Sequence, residues 1–496
     1  MKKNEISSFD TFYHFSPMRQ SLLNWYDFRQ GASVLELHAD YGALTEVLCS
    51  RCQEVTAIVP DQNAAKILRE RYKNRNNLTI LISESFADAC LEELDPFDYI
   101  VDLCGIEQAG TDYSGYLDRL ARYLKEDGKL LLTAENRYGL RYFCGAKEKY
   151  SGLPFYGINQ YFEEHGGHLF HKKELEEVIK RSVLKHYKFY YPLPDDIAPQ
   201  VIFTDQYSNS TIVAERMNPY NVDQSTLIAC ERSLYQDIIE NGVIGFFSNS
   251  FLVECGRQEN MCDIIYAVSS ADRARESSFA TCVREGGIVD KMNLYPEGEA
   301  KCAELCRNIQ NLEQRGIRVV KHIRVKDRIR MPDLHAPMLS QVMYEEAAKD
   351  RNTFIDLWDK LYELILRSSA WEQTADGKVL KQAYIDLVPS NILYKDQELY
   401  VYDQEFIAED CPAGYVLFRG IKYIYMAFGD LEEKVPVREL KSRFGLESYW
   451  ETYEKMEQDF IAHNRQTKRY KHFYEWADAN RWIIAKRGER IGEIVV

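Results

Sequence analysis

No apolar run in the 496-residue chain approaches the roughly 18 residues that cross a bilayer, so an integral membrane protein is excluded. The basic start, Met1-Lys-Lys, has no apolar stretch behind it and is not a secretory signal. The chain has no internal repeat and no low-complexity linker. Positive charge is in deficit: 62 Lys and Arg face 77 Asp and Glu, a net −15, which argues against a general nucleic-acid binder. Complete zinc patterns are missing as well. Among 12 cysteines, Cys49 and Cys52 form a single C-x-x-C and Cys302 and Cys306 stand four apart, but neither pair has a partner pair or histidines at compatible spacing. Reduced thiols of a cytosolic protein are the expectation. G-x-G-x-x-G is absent after the first strand, so a dinucleotide site is a poor reading.

What is present is ordinary in bulk: 45% apolar and 28% charged residues, as in a soluble globular protein. The length fits about three ordinary domains or two larger ones. The 34 Tyr and 23 Phe suggest aromatic-rich surfaces or clefts. In the first half, strand-like runs at 33–37, 55–59, 78–82, 97–103 and 128–133 alternate with helical stretches at 43–48, 63–72 and 116–124. Strands spaced by helices imply βαβ crossovers and a parallel sheet. Ligands of such sheets bind beyond the carboxyl ends of the strands, which points to the loops after Leu37, Val59, Ile82 and Leu103.

Residues 30–215 resemble the class I S-adenosylmethionine-dependent methyltransferases. The resemblance rests on Val34-Leu-Glu36-Leu-His38-Ala-Asp40-Tyr-Gly42-Ala-Leu-Thr45, Phe97-Asp-Tyr-Ile-Val-Asp102 and Leu124-Lys-Glu-Asp-Gly-Lys-Leu130. It implies that the loop around Glu36, His38 and Gly42 lies against the methionine part of the cofactor. In that family the loop carries three glycines two residues apart; here Gly42 is the third, and His38 and Asp40 fill the other two places. Both carry a Cβ where Gly would allow close approach and positive φ. A carboxylate at the end of the second strand holds the ribose hydroxyls in the family. Val59 fills that place, and Asp61 is the nearest acid.

Residues 135–215 read as an insertion and closing sub-structure. Glu135-Asn136-Arg137 follows the fifth strand, where a methyl acceptor would be met, and the aromatic and amide side chains of 136–145 and 155–159 suit sugar stacking as well as loop packing. His165, His168 and His171 form H-x-x-H-x-x-H. A metal site lacks a completing carboxylate or cysteine; the alternative is His171 as an N-cap with Glu174 three residues on, an imperfect capping box. The last strands of this sheet are expected at 190–193 and 201–204.

After about residue 215 the pattern turns antiparallel, with strands expected at 246–254, 263–268, 278–284 and 288–291, the last two across a Glu-Gly-Gly turn. A helix is expected over 298–312, a strand over 339–345, and an amphipathic helix through Phe354, Leu357, Trp358, Leu361, Leu364 and Ile365. Tyr384-Ile-Asp386-Leu-Val-Pro-Ser-Asn391 with Leu399-Tyr-Val-Tyr-Asp403-Gln-Glu405 resembles the catalytic and metal loops of the protein-kinase-like superfamily, especially its small-molecule phosphotransferases. The resemblance implies Asp386 as the catalytic carboxylate that orients an acceptor hydroxyl, with Asn391 and Asp403 holding Mg²⁺ on the phosphates of ATP. It further implies Lys291 on the α/β-phosphates, Glu304 as its ion-pair partner (Glu299 as second choice) and 343–345 as the adenine-reading hinge. The phosphate-covering loop then falls on Gly245 and Ser248-Asn-Ser250, without G-x-G-x-x-G. Tyr384 replaces the expected His, and Asp-Gln-Glu replaces Asp-Phe-Gly.

The expected fold is thus an α/β Rossmann-like methyltransferase domain over 1–215, an α+β bilobal kinase-like domain over 216–430 and a helical C-terminal segment over 431–496. That order resembles bacterial polysaccharide chain-terminating methyltransferase–kinases. The resemblance implies phosphoryl transfer and methyl transfer on a sugar of a surface glycan. Two alternatives stay open: a kinase with a degenerate methyltransferase fold, and a non-catalytic scaffold for polysaccharide synthesis. The tail from Ile461 to Val496 carries eight basic residues against four acids, interleaved with Tyr470, Phe473, Tyr474, Trp476 and Trp482. Such a tail suits an anionic membrane surface or an acidic partner protein, or a solvated helix packed on its own domain. The expected location is the cytoplasm, at most peripheral at the inner face of the membrane.

Overall fold

The computed structural model describes residues 8–83, 94–159, 166–207, 218–375, 377–466 and 469–481. The chain forms two compact units: residues 1–272 with 467–496, and residues 273–466.

In the first unit, β1 (Ser33–Leu37), β2 (Glu54–Val59), β3 (Leu78–Ile82), β4 (Phe97–Leu103) and β5 (Leu124–Glu135) form a parallel sheet in the order β3-β2-β1-β4-β5. Val34, Leu35, Glu36 and Leu37 are all buried, as befits a strand covered on both faces. The helix Gln62–Arg71 begins where Asp61 accepts a 2.8 Å bond from the Ala64 N–H, and it sets Ala64, Ala65 and Leu68 against Ala57 and Val59. The sheet continues through β6 (His186–Leu193), β7 (Val201–Phe203), β8 (Ser250–Gly256) and β9 (Ile264–Ser269) in the order β5-β8-β6-β7-β9. β8 runs antiparallel to both β5 and β6, β7 antiparallel to β6, and β9 antiparallel to β7. The result is a doubly wound α/β sheet with an antiparallel extension. Its strand order reverses between β1 and β4, which opens the ligand crevice of such folds at their carboxyl ends.

The expected boundary near residue 215 is therefore displaced. All seven residues of β8 are buried between β5 and β6, so this strand completes the first sheet rather than starting a second domain. The tail forms the packed helix that was one of its expected alternatives. Helix Lys471–Arg481 belongs to the first unit, where Tyr470, Phe473 and Ala477 are buried with Phe12, Met18 and Tyr220. Phe473 stacks on Phe12 at 5.5 Å. Tyr470 and Phe473 are core, and Tyr474 and Trp476 pack partly buried against them. Lys468, Trp482, Lys486, Arg487 and Arg490 lie outside the described residues.

The second unit opens with β10 (Phe279–Arg284) and β11 (Ile288–Asn293), paired across the expected Glu-Gly-Gly turn. β12 (Ile323–Val325) and β13 (Arg328–Pro332) complete a sheet segment in the order β12-β13-β11-β10. Helix Glu299–Gln314 covers it through Cys302, Leu305 and Ile309, which meet Phe279, Ile329 and Met331. A second core gathers the helices Leu339–Lys349, Arg351–Arg367, Ala413–Ala427 and Trp450–Asn464. β14 (Trp371–Thr374), β15 (Gly377–Tyr384) and β18 (Ile407–Pro412) form one small antiparallel sheet; β16 (Ile392–Lys395) and β17 (Glu398–Val401) form a hairpin. The strand expected at 339–345 is helical: Leu339, Met343 and Ala347 recur every four residues and are buried. Among the described residues, no helix is long and apolar enough to cross a membrane.

Candidate functional sites

The first site lies where β1 and β4 end. His38 (φ 55°), Asp40 (φ 48°) and Gly42 (φ 82°) all take the left-handed conformation. The loop thus has the backbone of a three-glycine turn, although Gly stands at one of the three places; Asp and His are among the residues that tolerate this region. Gly42 is the position where Gly is indispensable, since a Cβ there would lie 2.3 Å from Leu68 Cδ1 and 2.7 Å from Tyr72 Cε2. Its carbonyl accepts the Tyr72 hydroxyl at 2.6 Å. Glu36 is 1% exposed; Oε2 accepts Thr45 Oγ1 at 2.6 Å, and Oε1 is buried without a hydrogen-bond partner among the described residues. Burial pushes its carboxyl up to about 8, against the pull of Thr45 and Arg71.

Opposite, Asp102 at the end of β4 is wholly buried. Its Oδ2 accepts the Tyr116 hydroxyl at 3.0 Å, and Oδ1 stands 3.6 Å from His38 Nε2. Burial raises the Asp102 carboxyl, and His38 pulls it back down. Asp40 is raised by burial too, offset by His14, His38 and Arg19. Asp61 differs from expectation: its carboxylate caps the following helix, and Val59, which ends β2, is buried in the apolar cluster beneath. Asp102, Tyr116 and Thr45 are contributions that sequence reading missed. Asp102 was visible as the last polar residue of an apolar strand.

Beyond β5, Glu135 accepts Tyr142 Oη at 2.5 Å and Asn136 Nδ2 donates at 2.7 Å to the carbonyls of Phe246 and Ser248, so both are structural. Tyr138 is sandwiched by Phe246 at 5.0 Å and His171 at 5.6 Å, with the Arg137 guanidinium 4.7 Å from its ring. His171 makes the capping box with Glu174, and His168 bonds Glu174 Oε1 at 2.7 Å. His165 lies outside the described residues. No group of three or more His, Cys, Asp or Glu poised for a metal occurs among the described residues.

The second site lies within the second unit. Lys291 on β11 is 3% exposed, and its ammonium is bound by both Asp403 and Glu405. Arg273 Nη1 holds the other Glu405 oxygen at 2.6 Å. Burial opposes the charge of Glu405, but Lys291 and Arg273 outweigh it and keep the carboxyl well below the usual range. The expected Lys291–Glu304 pair is not formed. Glu304 bonds Lys301 and Glu299 pairs with Arg324, so both helix glutamates are engaged elsewhere. Asp403, at the end of the β16–β17 hairpin, has φ 54°. Asp386 Oδ1 pairs with Arg419 at 3.1 Å, and its main-chain oxygen accepts both Asn391 Nδ2 and Gln404 Nε2 at 3.1 Å. Burial raises the Asp386 carboxyl against Arg419. Gln404 is fully buried and also receives Asn308 Nδ2 on its carbonyl at 2.9 Å, so the residue in place of Phe is an amide strap between the two loops. Arg419 is fixed in turn by Glu457 at 2.7 Å.

Two expectations fail here. Met343, with Tyr344 and Glu345, lies in a helix, and Met343 is fully buried, so 343–345 is no hinge strand. Gly245 and Ser248–Ser250 belong to the first unit; Asn249 Nδ2 donates to Pro194 O and Glu231 Oε2, each at 2.8 Å, which makes that loop structural.

No family model matches the chain, and no curated protein matches it. Solved structures are similar over parts of it. A complex between the Haloferax volcanii Trm112 methyltransferase activator and a methyltransferase is 14% identical, covers 50% of this chain and 91% of that one, and gives a TM-score of 0.32. The N-methyltransferase NodS from Bradyrhizobium japonicum with S-adenosyl-L-homocysteine is 20% identical over 25% of this chain and 65% of that one, at a TM-score of 0.22. Coclaurine N-methyltransferase with N-methylheliamine and S-adenosyl-homocysteine is 14% identical over 48% and 70%, at 0.27.

Proposed function

We propose that the chain is a transferase whose first unit binds S-adenosylmethionine at the β1–β4 switch point and methylates an acceptor. The observation that carries this reading is the loop Glu36–Gly42: left-handed at 38, 40 and 42, and floored by a buried carboxylate oxygen that no described residue satisfies. A buried acid lacking a donor suits the amino group of a methionine moiety. When bound, the sulfonium supplies an electrophilic methyl group. The protein's part is to hold the donor on the 38–42 backbone, to answer its ammonium with Glu36 and to present the acceptor along the line of transfer. The acceptor we take to be a sugar hydroxyl or phosphate of a bacterial surface glycan. The Phe246–Tyr138–His171 stack beside Arg137 supports a sugar-binding face.

For the second unit we propose ATP- and Mg²⁺-dependent phosphoryl transfer. It is supported by Lys291 bound to Asp403 and by the Gln404 strap between the Asp403 and Asp386 loops. Asn391 and Asp403 would hold Mg²⁺. Two protein donors suffice, because this ion keeps waters and takes substrate phosphates as its other ligands. Asp386, with its carboxyl raised by burial, would orient the acceptor hydroxyl and receive its proton.

A second reading, in which only phosphoryl transfer survives, is favoured by Val59 at the ribose position and by the engagement of Asp61 as a helix cap. Calorimetry separates the readings, with S-adenosylmethionine and with ATP plus Mg²⁺ titrated separately into the full chain. We expect micromolar binding of each. ATP alone gives the second reading, and neither at millimolar concentration gives a scaffold. Asp403→Ala is expected to remove the Mg²⁺ dependence of ATP binding. Asp386→Asn is expected to keep ATP binding and lose phosphoryl transfer by about a hundredfold or more.

A further inference from the structure

We infer that His38 is the proton acceptor of the methyl-transfer site, held by Asp102, and that the methyl acceptor is therefore a neutral hydroxyl rather than a phosphate or carboxylate. The inference rests on the methyltransferase reading of the first unit and narrows its substrate class.

The geometry begins with Gly105. A Cβ there would lie 2.2 Å from Asp102 Oδ1, 2.6 Å from His38 Nε2 and 2.6 Å from Tyr116 Oη. The absence of a side chain lets these three groups, from the loop after β1, the end of β4 and helix Tyr113–Ala121, converge on one point. Asp102 has no solvent exposure; the backbone N–H groups of Gly105 and Ile106 and the Tyr116 hydroxyl also address its carboxyl, and its Oδ1 stands 3.6 Å from His38 Nε2, the imidazole that faces it from the crevice. The imidazole itself is 55% exposed at the crevice mouth, too open for a packing role. Its other nitrogen, Nδ1, has no partner among the described residues. A buried carboxylate behind an accessible imidazole is how a protein makes histidine a stronger base and fixes its orientation.

The step balances simply. The hydroxyl oxygen attacks the methyl carbon of the sulfonium donor, the carbon–sulfur bond breaks with its electron pair going to sulfur, and the hydroxyl proton passes to His38. The products are a methyl ether, a neutral thioether and an imidazolium paired with Asp102. An anionic acceptor would have no proton to give, and the pair would have no task. The charged and titratable groups facing His38 are Asp102 and Asp40, with Tyr116 behind Asp102 and His14 and Arg19 beyond Asp40.

The test needs no acceptor at first. Histidine-labelled full-length chain is observed by NMR, and His38→Asn assigns the signal among the ten histidines. Asn keeps the left-handed backbone accessible. The His38 ring signals are expected to move in Asp102→Asn, because the carboxylate that faces Nε2 is gone; unchanged ring signals overturn the inference. The second arm uses tritiated S-adenosylmethionine with methyl glucoside and phenol as hydroxyl probes and phenyl phosphate and benzoate as anionic ones. Expected is methylation of a hydroxyl probe with kcat rising as pH is raised, lost by about a hundredfold in His38→Asn while donor binding by calorimetry persists. Methylation of anionic probes alone, of no probe, or of a hydroxyl at full rate in His38→Asn overturns it. Failure of the wild type to bind the donor would instead sink the methyltransferase reading itself.

Discussion

Glu36 pairs an energetic cost with a binding opportunity at a single residue. Its folded carboxyl titrates at about 8 against an ordinary 4.5, because burial disfavours the charge. Below pH 4.5 the group is protonated folded or unfolded and contributes nothing. Between 4.5 and about 8 the unfolded chain releases the proton and the folded chain keeps it, so stability falls as pH rises. Glu36→Gln is expected to be the more stable protein at pH 8 by a few kcal/mol and no different at pH 4, by urea unfolding. Donor binding should expel that proton. Calorimetry at pH 7 in buffers of different ionisation enthalpy is expected to show nearly one proton released in the wild type and none from Glu36→Gln. Glu405 works in the opposite sense: held low by Lys291 and Arg273, it contributes stability above the ordinary glutamate value that is lost as pH falls below it. Glu405→Gln is accordingly expected to flatten the acid limb of the second unit's unfolding curve. Asp386, Asn391, Asp403 and Lys291 were legible as neighbours, Asn391 bonded to Asp386 and Lys291 to Asp403, because the resemblance sets their order. Glu405 and Arg419 were not, since a partner brought in by the fold leaves no trace in local spacing.

At the scale of elements, the βαβ alternation was readable to within a few residues, because each parallel strand is an apolar run bounded by a helix of different period. Two elements escaped. A strand was expected at 246–254 and forms at 250–256, after a helical turn over Ile244–Phe247, but an apolar run does not state which sheet it enters, and its neighbours β5 and β6 lie more than 55 residues away in sequence. Residues 339–345 were expected as a strand; the four-residue recurrence of Leu339, Met343 and Ala347 was the better signal. A buried helix face tolerates little. Met343→Ala is expected to cost about 2–5 kcal/mol in the second unit's thermal unfolding.

The whole molecule departs furthest from its sequence pattern. The switch to antiparallel strands was taken as the boundary, but the first sheet itself ends in antiparallel strands, so composition changes inside a unit rather than between two. Nor does a local pattern reveal that the chain leaves the first unit at Asp272 and returns to it after Gln466. Phe473→Ala is expected to destabilise the first unit by about 3–5 kcal/mol, read as lost hydrogen-exchange protection in β1, β4 and β5 with the second unit unaffected. This returning helix has a consequence for the protein's manufacture. During synthesis Phe12 and Met18 emerge from the ribosome early, yet part of their covering arrives only with residues 470–477, more than 450 positions later. At roughly 5–20 residues per second, that apolar patch spends about 20–90 seconds as a natural client for a holding chaperone.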